Sequence, residues 1–178
     1  MSETTYPKDD LTALVRFQNV LLSEAESALG PRDQTYQILP PRFLGNQRPS
    51  IYYFPDKAYI SLTPRAAMYW NAAKGELSHE VVHLLNPIPG FTNYLEEGVA
   101  TAFSQYAAAR HGIYYPSSGG YEIALGLVKQ LSDNALDAGK LLRDRIGALS
   151  DVSAPDLVIH FPHVSKGVAE RLSEEFDL

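Results

Sequence analysis

The sequence predicts an α+β fold, with a small mixed or antiparallel sheet packed on a mainly helical body, in a single domain spanning residues 1–178. Three observations predict it. Short runs rich in β-branched and aromatic residues cluster between Tyr36 and Leu62, and helical periodicity dominates on either side of them. A length of 178 residues with 45% hydrophobic content is enough chain to bury one core.

The elements follow in order. Leu11, Leu14, Val15, Leu21, Leu22 and Ala25 recur at helical spacing and predict a helix over 11–29, ended by Gly30-Pro31. Residues 36–39, 51–54 and 58–62 predict strands, the last two joined through Pro55-Asp56-Lys57 as a hairpin turn. Thr63 and Pro64 suit the N-cap and first position of a helix. Helical structure then has to stop at Asn86-Pro87-Ile88-Pro89-Gly90, because proline lacks an amide donor and restricts the residue before it. Asn93 suits the next N-cap, with Glu96 three residues on in a variant of the capping box, and a helix over 94–110 follows. His111, before Gly112, falls where a cation complements the helix dipole. Helices over 121–131, 136–146 and 164–176 complete the chain. The stretch 114–120 suits a surface turn or a lid, and His160 and His163, separated by Phe161-Pro162, are expected on the surface or in a loop.

The segment His79-Glu80-Val81-Val82-His83 carries the chemistry. Residues four apart on a helix lie one turn above each other, so the two imidazoles point at one ion while Glu80 reaches toward its open position. Zinc suits that donor set, lowers the pKa of a bound water toward neutrality, and leaves Glu80 as the base that takes the proton. A catalytic zinc site needs a third protein ligand. The extended metzincin pattern requires glycine and histidine where this chain has Asn86 and Pro89, and a thiolate is excluded because there is no cysteine. A carboxylate from the following helix remains. The capping position occupies Glu96 at the helix entrance and leaves Glu97 free to turn inward.

Tyr94-Leu95-Glu96-Glu97-Gly98-Val99-Ala100 resembles the aromatic-Leu-x-Glu-Gly-x-Ala signature of the gluzincin metallopeptidases. The resemblance extends over roughly residues 51–131. It implies a zincin-like fold, zinc as cofactor, a peptide or protein substrate, and Glu97 as the third ligand beside His79 and His83. Gly98 would let the two ligand-bearing helices approach closely. Gly120-Tyr121-Glu122-Ile123-Ala124 is similar to the tyrosine-bearing helix of the aminopeptidase branch, which implies that the Tyr121 hydroxyl stabilises an oxyanion. By the same resemblance, 58–62 is a candidate for the open sheet edge against which an extended peptide pairs, and a covered interior strand is the equal alternative. There are two departures. Only thirteen residues separate His83 from Glu97, and Ala66-Ala67-Met68-Tyr69-Trp70-Asn71 merely echoes the amine-binding motif of the aminopeptidases, so that specificity is not implied.

A net charge of −6 without a dense basic run argues against nucleic acid as the principal partner. Met1-Ser2-Glu3-Thr4-Thr5 is polar and acidic, unlike a signal peptide, and no apolar run approaches the ~18 residues that cross a bilayer. A cytoplasmic protein without membrane attachment is therefore expected. The motifs support a zinc-dependent hydrolase. The alternative is a catalytically silent module that keeps the metal, or only the fold, for protein recognition.

Overall fold

The computed structural model describes residues 5–114, 116 and 119–177; the first four residues, on which the leader reading rests, and residues 115, 117 and 118 of the expected loop lie outside the described residues. The fold is α+β, as expected. Helix α1 (Leu11–Leu29) precedes strands β1 (Gln37–Ile38), β2 (Arg42–Phe43), β3 (Ser50–Tyr53) and β4 (Lys57–Leu62). Helices α2 (Pro64–Met68), α3 (Trp70–His83), α4 (Tyr94–His111), α5 (Gly120–Val128), α6 (Ala135–Ile146), α7 (Ala154–His160) and α8 (Lys166–Ser173) follow.

The sheet is mixed and centred on β4. Ala58 pairs with both Ile38 and Tyr53, and Ser61 with both Arg42 and Ser50. Hence β1 and β2 lie end to end along one edge of β4, parallel to it, while β3 runs antiparallel along the other. Four steps from Ile38 to Arg42 face three from Ala58 to Ser61, so Leu39-Pro40-Pro41 holds one extra residue as a bulge. Proline belongs there because it cannot donate to the ladder. The predicted hairpin forms: the Phe54 amide donates to the Lys57 carbonyl (2.8 Å) across the turn into β4. Of the two readings of 58–62, the covered interior strand is the one observed, and the open edge is not. Strand β4 is paired on both sides and mostly buried, and the border of the sheet on that side is β3.

Helix α3 is central. It packs on α1, α2, α4 and β4, and buried residues occupy its circumference in the second half: Leu77, Ser78, Glu80, Val81, Val82 and His83. Such a helix needs tertiary partners for its polar groups as well as its apolar ones. Glu76 shows how one is satisfied: its carboxylate accepts from the Thr63 amide (2.9 Å) and the Thr63 hydroxyl (2.6 Å), tying α3 to the end of β4. The same Thr63 oxygen caps α2 by accepting from the Ala66 amide, as its position before Pro64 predicted.

Beyond α3, Arg143 of α6 is buried and fully engaged. Its guanidinium donates to the carbonyls of Leu29, Gly30 and Pro31 and twice to Asn86 Oδ1, joining the end of α1 to the turn that leaves α3. Helix α4 begins at Asn93, whose side chain accepts from the Glu96 amide (2.9 Å), and ends at Gly112 in the left-handed conformation (φ 63°). His111 occupies the last turn, where Glu24 of α1 pairs with it (2.9 Å). Several elements differ from expectation: strand β2 was not predicted, and the helix expected over 121–131 ends at Val128. Helix α7 was not predicted, and the helix expected over 164–176 stops at Ser173, after which residues 174–176 are extended. There the Phe176 amide donates to the Thr92 carbonyl (2.8 Å) and the Tyr94 amide to the Glu174 carbonyl (3.2 Å), so the tail straps the entrance of α4. Among the described residues, no helix is long and apolar enough to cross a membrane.

Candidate metal centre

The last turn of α3 and the first turn of α4 face each other. His79, His83 and Glu97 meet there with one ligand atom each, all within 4.8 Å of one another. His79 Nε2 lies 2.9 Å from Glu97 Oε2, and His83 Nε2 lies 3.7 Å from Glu97 Oε1. Four ligands at zinc's ~2.0–2.1 Å bond length stand about 3.3 Å apart at tetrahedral angles, and these separations straddle that value. Two imidazole nitrogens and one carboxylate form a donor set that could hold a metal ion.

Neighbouring groups aim the donors. Glu96 accepts from His83 Nδ1 (2.8 Å), which orients the ring with Nε2 on the side of Glu97. The Thr92 hydroxyl donates to Glu97 Oε1 (2.6 Å) and orients that carboxylate in turn. Glu96 thus has a different task from the predicted one. Its amide is capped by Asn93, but its carboxylate serves His83 rather than closing a capping box.

The electrostatics follow from three buried carboxylates beside two histidines. Burial alone opposes a charge on His83, but Glu97 and Glu96 outweigh it and raise its pKa to about 10. Burial likewise pushes Glu97 upward, yet the charges of His83 and His79 and the hydrogen bond from His79 hold it at about 2. Carboxylates gathered this closely beside two histidines form a group that could hold a cation. Glu80 is held above the ordinary carboxylate range, chiefly by burial, against the opposing pull of His83 and His79.

The other predicted residues are placed as follows. Glu80 and Tyr121 line the same cavity as His79, and the Tyr121 ring meets the His79 ring edge-on with centroids 5.1 Å apart. Phe176 of the tail packs on the far side of Tyr121 (5.4 Å) and on Tyr94 (4.9 Å). Gly98 has another role than the expected one. A Cβ there would stand 2.5 Å from the Ala124 carbonyl oxygen, so its lack of a side chain admits α5, which carries Tyr121, and not α3. His160 ends α7 and His163 faces the Gln130 carbonyl (3.2 Å), so neither joins the cluster. Sequence reasoning missed Thr92 and the orienting role of Glu96. The chain has no significant match among protein-family models, curated proteins or solved structures.

Proposed function

We propose that the protein is a zinc-dependent hydrolase, specifically a metallopeptidase that cleaves peptide bonds with an activated water. The observation that carries this reading is the convergence of His79, His83 and Glu97 within 4.8 Å of one another, in a site whose adjoining cavity is lined by Glu80 and Tyr121. Its resemblance to the gluzincin pattern supplies the expected division of roles.

His79, His83 and Glu97 would hold the ion. Zinc bound there supplies Lewis-acid polarisation and makes water acidic near neutral pH. The rest of the work falls to side chains. Glu80, acting as the carboxylate, takes the proton from the attacking water as the bond to the carbonyl carbon forms. It then delivers that proton to the departing amine as the carbon–nitrogen bond breaks. The Tyr121 hydroxyl donates to the oxygen on which negative charge develops. Glu96 and Thr92 keep His83 and Glu97 in place throughout, so little reorganisation is needed as charge moves.

The test combines elemental analysis with mass spectrometry of a proteome-derived peptide library incubated with the protein. Wild type should carry about one zinc per chain and generate new termini. Glu80→Gln should keep its zinc and lose about 10²–10⁴ in rate. Wild-type cleavage by Glu80→Gln would remove it as the base. Full zinc content in Glu97→Ala would remove Glu97 as a ligand.

A further inference from the structure

The cavity beside the metal centre has a volume of about 550 Å³, and its walls differ sharply in charge. Both of its acidic lining residues are buried: Glu80 beside the histidines, and Glu76 with each carboxylate oxygen already bonded to Thr63. The exposed charges on its wall are positive. Arg48 comes from the segment entering β3, and Arg65 from α2, so two different elements each bring a guanidinium to the same cavity. Among the described residues neither arginine is part of an ion pair or a side-chain hydrogen bond. Arg65 does act electrostatically on Glu76, but Thr63 occupies that carboxylate.

We infer that this cavity receives a carboxylate of the substrate, with Arg48 and Arg65 as its specificity-determining residues. A planar guanidinium presents paired donors that match a carboxylate, and two of them flanking a cavity of this size accommodate one acidic side chain. The chain carries a net charge of −6, which as a whole repels an acidic peptide, and a local positive wall beside the reacting bond sets the register in which such a peptide docks. The inference rests on the peptidase reading only in taking the carboxylate to belong to a peptide. That carboxylate comes either from a Glu or Asp side chain within the substrate or from a free chain terminus.

The experiment uses the zinc-loaded Glu80→Gln protein and fluorescent hexapeptides followed by anisotropy at low salt. One set has blocked ends and places Glu in turn at each position of a neutral background; a second has Gln throughout with blocked ends; a third has Gln with a free C-terminal carboxylate. Glu in one register, or the free terminus, should tighten binding about fivefold over the blocked Gln peptide, and added salt should erode the gain. Whichever set gains identifies the source of the carboxylate. In the Arg48→Gln/Arg65→Gln background the ratio should fall to about one, whereas Arg48→Lys/Arg65→Lys should retain part of it. A thermal melt checks that each variant is folded. Equal binding of all peptides, failure of every peptide to bind, or a gain that survives loss of both arginines would each overturn the inference. The two readings fail separately. Acid-selective binding without cleavage by wild type would sink the peptidase reading alone, and cleavage without acid preference would sink the carboxylate pocket alone.

Discussion

At the scale of single residues, Glu96 and Glu97 show how two adjacent carboxylates in one helical turn divide a site between them. Glu97 faces both histidines, and Glu96 holds the far nitrogen of His83. Removing the second should be felt through the first, so Glu96→Ala should weaken metal affinity by about 10–100-fold in a chelator competition. An unchanged affinity would reduce Glu96 to a packing residue. The three residues of the cluster were legible, because four-residue spacing on a helix and a carboxylate one turn into the next helix are local patterns. The task of Glu96 was not. A capping box and a histidine-orienting carboxylate look alike in sequence, and the partner that distinguishes them lies thirteen positions upstream. Glu76 yields a pH-dependent prediction of its own. Burial raises its pKa in the folded chain despite its bonds to Thr63, so folding takes up protons there. Its contribution to stability is full below the unfolded-state value and is lost as pH rises through the higher folded value. Denaturant unfolding should therefore show wild type losing ground relative to Glu76→Gln between about pH 4 and neutrality. A constant difference across that range would contradict the assignment.

At the scale of elements, the approach of α4 to α5 depends on Gly98. A methyl group there would meet the Ala124 carbonyl oxygen and the Val128 side chain, each at 2.5 Å. Because α5 carries Tyr121, Gly98→Ala should displace that helix, cost about 1–3 kcal/mol of stability and reduce turnover more than zinc content. A melt and a metal assay on the same preparation check both, and parallel loss of metal would mean that α3 moved instead. Long helices were legible because their apolar period repeats over many turns. Strand β2 was not, since two residues offer no alternation to read. Helix α7 is different. Ser153 with Asp156 forms a true capping box and Pro155 stands in its first turn, a start signal present in the sequence but followed by too few residues for a period to emerge.

At the scale of the whole molecule, distant parts of the chain converge on the start of α4. The tail pairs with Thr92 and Tyr94, Phe176 backs Tyr121, and Asn93 donates to the carbonyl of Leu149 (3.0 Å). Thr92 is held by the tail through its carbonyl while its hydroxyl holds Glu97, so a chain ending at Ser173 should bind zinc more weakly and melt lower, by about 2–4 °C for each kcal/mol lost. Undiminished zinc retention in that truncation would show that the strap only decorates the site. None of this was legible, because an extended tail acquires meaning only from the element it lies against. The placement of the ligands has one more consequence. His83 and Glu97 bracket a proline-bearing link without helical structure of its own between α3 and α4. A cation shared by the two helices is then a cross-link as well as a reagent, closing a loop whose tethering, if it acted as a disulfide does, would remove about 3 kcal/mol of chain entropy from the unfolded state. The ion that makes water reactive would also be the clasp that keeps the chain folded around it.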